Sequence, residues 1–456
     1  MRDGTLRGVD ALPRGPRVPA VVQLVRWLHD PHRLLDDCVG TIGDTFTLDL
    51  SVLSKATVVV SDPEHVREVF LAPHEVLSAG EASEVFEPFV GRGSLFLLDG
   101  QAHARHRRLM GPAFRGERMH EYFGDVIDAT DRVAATWPRG RPFCFYDAAR
   151  TITLDTLVRA VFGPRGARAL TDFRARAREM VDICARPHLL VPLARIDLGR
   201  WSPWGRVLRS MKEIDARIHE HIDAVRAAPD PGARDVLSML LAARDESGVA
   251  MTNAELRDEL VTLLIAGSET TATGLAWTLD ELLRAPEQVA IVCAELRSVL
   301  DGKDLRPEHL PALVRLEACV REALRLHPPI TNTIRVVKRP FHVGRWELAP
   351  GVEVAPCMYL THRRADLYPE PLVFRPERFL GQKLDPYSFY PFGGGSRRCM
   401  GMSMAFSEVM LILAHLLSRY GFALASKERP RARRRALLMA PSTGVPLRAE
   451  LLRAAA

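Results

Sequence analysis

One segment in the middle of the chain restricts the fold more than any other. Residues 252–285 are predicted to form a single helix, because Thr252 and Glu255 have the spacing of a capping box and Pro286 ends the pattern. At 1.5 Å per residue, such a helix is roughly 50 Å long. It would cross an entire domain, so the remaining elements must pack around it.

The centre of this helix has an unusual composition. Ala266 and Gly267 are followed by Ser268, Glu269 and two threonines, although glycine and hydroxyl residues are poor choices for a helix interior. One interpretation is a local opening of the helix that makes room for a small ligand. The other is a close crossing with a second helix at Ala266 and Gly267. The residues alone leave both open.

The rest of the chain is predicted to be mainly α-helical with a minor β portion. A typical size of about 150 residues per domain would suggest three domains. We find no internal repeat and no polar linker, so we expect one domain over residues 1–456. The predicted segments are an extended Pro/Gly/Arg-rich lead-in at 1–20, β structure at 42–61 and 335–360, mostly helix at 120–325, coil at 366–396 and a last helix at about 400–418.

Composition excludes several classes of protein. A hydrophobic fraction of 47% and a charged fraction of 26% are those of an ordinary globular protein. The net charge of +6 is small for this length. The one dense arginine cluster, at 429–435, is interpreted as a solvated loop rather than a patch for a polyanion or partner, so we expect no nucleic acid partner. No stretch reaches the roughly 20 apolar residues of a membrane span, and the N-terminus resembles neither a signal peptide nor an anchor. We therefore expect a cytoplasmic protein without a transmembrane anchor.

The seven cysteines include one in a distinctive setting. None forms a C-x-x-C pair, so neither a zinc site nor a disulfide framework is indicated. Cys399, however, follows Phe392-Gly393-Gly394-Gly395-Ser396-Arg397-Arg398 and precedes an apolar helix. Glycines allow close backbone approach to a flat group, and a helix N-terminus is expected to lower the pKa of a thiol. A phosphate cradle or a plain buried cysteine would also fit these residues taken alone.

The segment from Phe392 to Gly401 resembles the haem-binding loop of the cytochromes P450, F-x-x-G-x-R-x-C-x-G, at every fixed position. The resemblance implies a P450 fold centred on one haem b. It implies that Cys399 is the thiolate ligand of the haem iron, that Arg397 binds a haem propionate, and that Phe392 belongs to the cofactor-binding loop. Thiolate ligation favours cleavage of the O–O bond.

The centre of the long helix is similar to the oxygen-binding groove of the same family, A-G-x-[DE]-T, with Glu269 in place of the commoner aspartate. This likeness assigns Ala266 and Gly267 to the cofactor site. It assigns Glu269 and Thr270 to an acid–alcohol pair that relays protons during activation of dioxygen, the task of a general acid.

Two further motifs resemble the family's structural core. Glu322 and Arg325 share one helical face at i and i+3, which by itself indicates only a common surface ion pair. They match the family's E-x-x-R pair, and residues 376–379 match its P-E-R-F element. The resemblance implies that Glu322, Arg325 and Arg378 form a buried structural triad, with no catalytic role, that holds the loop before Cys399.

Three other basic residues resemble the family's propionate ligands. His103 and Arg107, at i and i+4, would share one helical face, and two donors on one face suit two propionate oxygens. An exposed basic helix is the alternative from spacing alone. His103 occupies the position where the family often has tryptophan. Arg335, which opens the predicted β segment, resembles a further propionate-binding arginine.

The function implied is a monooxygenase that inserts one atom of O2 into an apolar organic molecule such as a fatty acid, terpenoid, steroid or macrolide. We expect a monomer that receives electrons from an external ferredoxin or flavoprotein, with Arg105, Arg107, Arg108 and Arg398 as a candidate docking face. Candidate pocket segments, mainly apolar, are 86–98, 173–205, 263–266, 330–333 and 438–443. Two alternatives stay open: a peroxide-driven or isomerising haem-thiolate enzyme, and a haem sensor or carrier without catalysis.

Overall fold

The chain folds as a predominantly helical protein with small sheets at its periphery. The computed structural model describes residues 12–50, 56–114, 119–169, 171–184, 186, 191, 195–230 and 232–452. Helix accounts for 55% and strand for 12% of the protein, which confirms the predicted mainly α class with a minor β portion. The first 11 residues of the predicted lead-in lie outside the described residues, and residues 12–19 are irregular or bent.

The helices form most of the core. In the described residues they are α1 (Ala20–His29), α2 (Pro31–Thr41), α3 (Pro63–Leu71), α4 (Ala79–Ala82), α5 (Glu87–Val90), α6 (Gly100–Met110), α7 (Met119–Ala134), α8 (Phe145–Ala169), α9 (Thr171–Cys184), α10 (Pro203–Ala227), α11 (Val236–Ala242), α12 (Asn253–Leu283), α13 (Pro286–Leu300), α14 (Val314–Leu326), α15 (Met358–Thr361) and α16 (Met402–Arg419). Short 3-10 turns include Pro376–Phe379 and Gly395–Arg397.

The strands are short and mostly antiparallel. They are β1 (Thr45–Asp49), β2 (Ala56–Val60), β3 (Leu77–Ser78), β4 (Phe143–Cys144), β5 (Arg335–Val337), β6 (Phe341–Val343), β7 (Trp346–Leu348), β8 (Glu353–Pro356), β9 (Tyr420–Leu424), β10 (Ala432–Arg435), β11 (Leu438–Pro441) and β12 (Pro446–Leu451). The largest sheet has the order β1-β2-β8-β5-β3, with only β2 and β8 parallel. The smaller ones are β4-β12-β9 and the hairpins β6-β7 and β10-β11.

The central helix begins where the sequence predicts. The Thr252 hydroxyl accepts a hydrogen bond from the Glu255 amide at 3.2 Å, and the Glu255 carboxylate accepts one from the Thr252 amide at 2.7 Å. This capping box confirms the predicted start of α12, and Pro286 begins α13 directly after it. The helix packs against α8, α14 and α16, so it lies at the centre of the fold.

The centre of α12 does not open as a break in the helix. Helix is continuous from Asn253 to Leu283, and the Thr270 hydroxyl donates to the carbonyl oxygen of Ala266 at 2.6 Å. A Cβ atom added at Gly267 would lie 3.1 Å from the side chain of Leu157 in α8. Close approach of α8, the second interpretation of the sequence, therefore accounts for this glycine.

The helix that follows Cys399 is apolar enough and long enough to be a candidate membrane span. It is α16, at 18 residues, and 61% of it is buried inside the protein. Its side chains pack with those of α12, α14 and α7. A largely apolar helix in such surroundings is a core helix of a large protein, and the polar residues Glu408 and His415 within it agree with this.

Candidate active site

A cavity of about 460 Å³ lies between α12 and the loop that carries Cys399. Most of its wall is apolar, and it includes four of the five predicted pocket segments. Of the described part of residues 173–205, none lines it. The apolar side chains on it include Phe86, Phe89, Val90, Leu95, Phe96, Met110, Phe114, Leu157, Leu263, Ile265, Ile330, Met358, Met404, Leu437 and Leu438.

Cys399 lines this cavity, to which its side chain is exposed, and is otherwise surrounded by protein. Its amide donates to the carbonyl oxygen of Phe392 at 2.9 Å, which closes the loop into a compact turn. The walls enclose the thiol closely enough that burial raises its pKa, while the Gly401 amide, Arg107 and Arg398 act in the opposite direction. The expectation of a lowered pKa was wrong, because α16 begins only at Met402 and burial outweighs its N-terminus. A metal ion removes the thiol proton outright, so a ligand role does not depend on a low pKa.

The glycines before Cys399 serve the packing of the loop against α3. A Cβ atom at Gly394 would overlap the ring of Phe70, and one at Gly395 would overlap the Phe70 carbonyl oxygen. Gly393 and Gly395 also have positive φ angles of 69° and 62°, which other residues rarely adopt. The close approach expected for this loop is thus made to α3, and it fixes the position of Cys399 on the cavity wall.

Four basic side chains lie close together, and we call them the cation cluster: His103, Arg107 and Arg397, which line the cavity, and Arg335, which lies near His103 and Arg397 without lining it. Burial and then repulsion by Arg397 lower the pKa of Arg335 to about 10, and burial with the two arginines 397 and 107 lowers that of His103 to about 4. Asp99 is the acid that offsets this repulsion, and it accepts a hydrogen bond from Arg397. One carboxylate facing three arginines leaves the cluster positive.

The loop between α5 and α6 is held by the same cluster. Arg397 donates to the carbonyl oxygens of Leu95, at 3.0 Å, and Leu98. Arg107 donates to the carbonyl oxygen of Arg398 at 2.7 Å, which joins α6 to the Cys399 loop. The structure therefore brings His103, Arg107, Arg335, Arg397, Phe392 and Cys399 to one region, although they come from three separate segments.

Glu269 lies in a buried network of charges on the other side of α12. Its Oε1 accepts from Arg150 of α8, and its Oε2 accepts from the hydroxyl of Tyr146 at 3.0 Å. Arg150 also binds Asp182 of α9, and the Nε of Arg435 lies 3.9 Å from Glu269 Oε2. Two arginines and a phenol thus surround this carboxylate.

Glu269 borders two cavities at once. It lines the large cavity together with Ala266, Gly267 and Thr270. It also lines a second pocket of about 10 Å³, between α8, α9 and α12, with Arg150, Leu154, Arg178 and Ser268. A space of that size holds about one water molecule.

The three residues predicted as a structural triad meet in the core. Glu322 and Arg325, both fully buried, form a bidentate pair with N–O distances of 2.7 and 2.8 Å, and Arg378 joins Glu322 at 3.1 Å. Arg325 also donates to the carbonyl oxygens of His362 and Pro371 at 2.6 and 2.8 Å. The triad therefore holds the coil that leads to the Cys399 loop.

Comparison with known proteins identifies the family of this fold and site. The family model described as Cytochrome P450 matches residues 13–447. The chain is 34% identical over 443 residues to a putative cytochrome P450 135B1 of Mycobacterium bovis, which covers 97% of this chain and 92% of the relative. It is also 34% identical over 416 residues to a putative cytochrome P450 135A1 of Mycobacterium tuberculosis, with 91% and 89% covered. The chain belongs to the cytochrome P450 family.

Solved P450 structures have the same fold. A retinoic acid-bound cyanobacterial protein, CYP120A1, superimposes with a TM-score of 0.86 at 22% identity, covering 97% of this chain and all of that one. The haem domain of cytochrome P450DA also gives 0.86, at 23% identity, with 98% and 99% covered. Membership of the family, shown by the family model and the mycobacterial relatives, makes the chain a P450 monooxygenase in its general class. Enzymes of this family are haem-dependent, use dioxygen and generally take redox partners and small-molecule substrates.

The residues of this P450 fit a haem on the evidence of the cavity itself. Cys399 presents a thiol at the wall, the ligand type that gives thiolate haem proteins their chemistry. The cation cluster carries more positive charge than Asp99 neutralises, and His103 has a polar ring buried without a hydrogen bond in the described residues. Two propionates would supply the missing negative charge.

Sequence reasoning missed the partners of the P450 site. Asp99 directly precedes α6, but nothing local indicated that Arg397 would bind it. Arg150, Tyr146 and Arg435 reach Glu269 from positions more than 100 residues away in the chain, so only the tertiary fold joins them. Glu408 lies in an otherwise apolar stretch of sequence, and that composition is the signal by which this buried titratable group on the cavity wall could be found.

Proposed function

We propose that this protein binds haem b through Cys399 and inserts one atom of O2 into an apolar organic substrate. The observation that carries the proposal is that Cys399, Thr270 and Glu269 border one cavity whose other walls are mostly apolar. When bound, haem supplies the redox centre at which dioxygen is activated. The cation cluster would hold its propionates, and Cys399 its iron.

We propose that Glu269 and Thr270 are the catalytic proton-relay pair. Glu269 has access to a water-sized pocket on one side and to the large cavity on the other. A carboxylate in that position can take a proton from water in the small pocket and release it toward the cavity, as a general acid does. Thr270, on the cavity side, donates its hydroxyl proton to the carbonyl oxygen of Ala266 at 2.6 Å, which orients its oxygen as an acceptor for a proton donor in the cavity.

The proposed substrate is an apolar molecule of the fatty acid, terpenoid, steroid or macrolide kind. Phe86, Phe89, Leu95, Leu263 and Ile330 support this, because they give the large cavity an apolar wall. Two of the polar groups on that wall are paired within the protein: Thr262 with Ser94 at 2.7 Å, and Arg435 with Asp182 at 2.9 Å. These paired groups therefore do not require a charged group on the substrate.

The proposed electron donor is a ferredoxin or flavoprotein that docks on the basic face near the Cys399 loop. Arg108 and Arg398 are exposed there, and Arg107 joins α6 to the loop. Arg105 does not belong to this face, contrary to the sequence-based expectation. It is mostly buried and binds Asp245 at 2.6 Å and Glu255 at 2.9 Å.

A reconstituted assay tests the proposal. The haem-loaded protein is supplied with NADPH, a ferredoxin and a ferredoxin reductase, or with hydrogen peroxide alone, after a screen of lipids, terpenoids and steroids for substrate-induced spectral shifts. We expect oxygenated product with the electron donor, and hydrogen peroxide in its place with Thr270→Ala and Glu269→Gln. Product from peroxide alone would favour the peroxide-driven alternative, an isomerised product the isomerase, and binding without any product a sensor or carrier.

The remaining expectations stay predictions. They are a monomeric state, a cytoplasmic location and a single domain over residues 1–456. Sedimentation of the purified protein and fractionation of its host cells measure the first two directly.

A further inference from the structure

The hairpin β10–β11 brings one side chain to both the substrate cavity and the proton-relay acid. Arg435 is the last residue of β10, and it faces Leu438 of β11 across the turn. Arg435, Ala436, Leu437 and Leu438 all line the large cavity. The tip of this hairpin, residues 435–438, is therefore part of the surface that a substrate would touch.

The base of the hairpin is anchored firmly to the core. The indole Nε1 of Trp277, in α12, donates to the carbonyl oxygen of Met439 at 2.8 Å. The Met439 amide donates to the carbonyl oxygen of Pro329 at 2.9 Å. The tip extends beyond these anchors, and Ala436 there has a positive φ of 51°.

Of the three consecutive arginines in β10, only Arg435 comes near Glu269, because strand alternation places Arg434 on the opposite face and Arg433, on the same face as Arg435, is exposed. Arg433 is exposed, and Arg434 is buried on the opposite side with its guanidinium 4.8 Å from the Trp27 ring. Arg435 donates to Asp182 Oδ1 at 2.9 Å, and its Nε lies 3.9 Å from Glu269 Oε2.

The charged and titratable groups around Glu269 come from three packed elements. Tyr146 and Arg150 belong to α8, with Asp147 3.8 Å from Arg150; Asp182 and Arg178 belong to α9; and Arg435 belongs to β10. Arg150 binds the Oε1 side of the carboxylate and Arg435 faces the Oε2 side. Asp182 binds both arginines, so it connects the two sides. Arg435 is the member of this group that also lines the large cavity.

We propose that Arg435 is a positioning residue that holds the Oε2 side of Glu269 and connects this acid to the hairpin tip in the substrate cavity. The inference rests on the proposed proton-relay role of Glu269. Arg435 touches neither the reacting atoms nor the haem site residues; it acts through the carboxylate. Removing its charge leaves Arg150 as the only arginine beside Glu269 in the described residues, and Asp182 then pairs with Arg150 alone.

The test is the uncoupled oxidase activity of the haem-loaded, full-length protein, which needs no substrate. NADPH, a ferredoxin and its reductase supply electrons, and the rate of hydrogen peroxide release is followed against pH and in D2O. For Arg435→Gln we expect the pH midpoint to move upward and the solvent isotope effect to rise at least twofold, because loss of a cation disfavours the carboxylate. Arg435→Lys keeps the charge and should restore most of both values.

Arg433→Gln is the matched control, since it removes an exposed arginine from the same strand. A pH profile and isotope effect of Arg435→Gln equal to those of Arg433→Gln would overturn the proposal. Glu269→Gln distinguishes failure of the relay role of Glu269 from failure of the positioning role of Arg435. If Glu269→Gln leaves the pH profile unchanged, the relay role fails. If Glu269→Gln alters the pH profile while Arg435→Gln does not, only the positioning role fails. The haem content of each variant, measured first, identifies any that do not fold.

Discussion

Two buried groups of charges in this protein differ in how completely their charges are paired. The difference distinguishes a group that stabilises the fold from a group that binds a ligand. In the Glu322–Arg325–Arg378 triad, the carboxylate accepts from two arginines and from the Arg375 amide, and Arg325 also binds backbone carbonyls. In the cation cluster, three arginines face one carboxylate, Asp99. A group satisfied within the chain holds the fold together. A group with excess charge implies a partner from outside, and two propionates meet that need.

Removing one member of the Glu322–Arg325–Arg378 triad should have the largest effect on stability. Arg325→Ala leaves Glu322 charged and buried, and removing one member of a buried pair costs about 3–5 kcal/mol. We expect the free energy of unfolding to fall by that amount, and little folded protein to accumulate. Arg217→Ala is the matched control, because Arg217 and Glu220 have the same i, i+3 spacing on the surface of α10. Its cost should stay below about 1 kcal/mol, and equal losses in the two variants would refute the assignment.

A single unpaired acid on the cavity wall should destabilise the protein as pH rises. Burial raises the pKa of Glu408 to about 8 from 4.5, and the Thr156 hydroxyl offsets this only in part. The folded protein therefore holds a proton that the unfolded chain releases, so stability falls as pH rises from about 4.5 to 8.

Glu408→Gln should remove this pH dependence and stabilise the protein at pH 8 by roughly 2–4 kcal/mol, since one pKa unit corresponds to about 1.4 kcal/mol. Urea unfolding at pH 5 and pH 8 measures it, with Glu428→Gln on the surface as control. Parallel pH dependence of wild type and Glu408→Gln would show that Glu408 is ionised in the fold.

Three features of the fold and site could be predicted from the sequence because they rest on local motifs. The capping box of α12, the position of Cys399 and the pairing of Glu322 with Arg325 depend on residues close together in the chain. Asp99, Arg150 and Arg435 could not be found this way, because each meets its partner across more than 100 residues. The pKa of Cys399 was predicted with the wrong sign because the sequence shows a following helix but not the depth of burial.

Removing one arginine from the cation cluster should weaken haem binding without lowering the stability of the haem-free protein. Arg335→Leu relieves repulsion with Arg397, so the haem-free protein should unfold at the same temperature or higher. Haem release to apomyoglobin should become roughly 10–100-fold faster, as expected for loss of a charged hydrogen bond of about 1.5–3 kcal/mol. Arg339→Leu, on the exposed segment after β5, should change neither value. If Arg335→Leu unfolded at a lower temperature than the wild type and released haem at the same rate, Arg335 would be a structural residue.

The smallest effect is expected at the surface near the cluster. Arg108 is 57% exposed, and Arg108→Ala should reduce the rate of electron transfer from ferredoxin about two- to fivefold with a weaker salt dependence. Arg105→Ala should instead lower stability, because Arg105 binds two acids inside the protein. Stopped-flow reduction at two ionic strengths compares them. An unchanged rate in Arg108→Ala would exclude this face as the docking site.

The central claim is that Cys399 is the thiolate ligand of a haem iron, and the absorption spectrum of the reduced carbon monoxide complex tests it most directly. The haem-loaded protein is reduced with dithionite and exposed to carbon monoxide. We predict the red-shifted Soret band of a thiolate-ligated haem, and its loss in Cys399→Ala but not in Cys357→Ala, whose thiol is buried away from the cavity. A histidine-type Soret band in the wild-type protein, or an unchanged band in Cys399→Ala, would contradict the account.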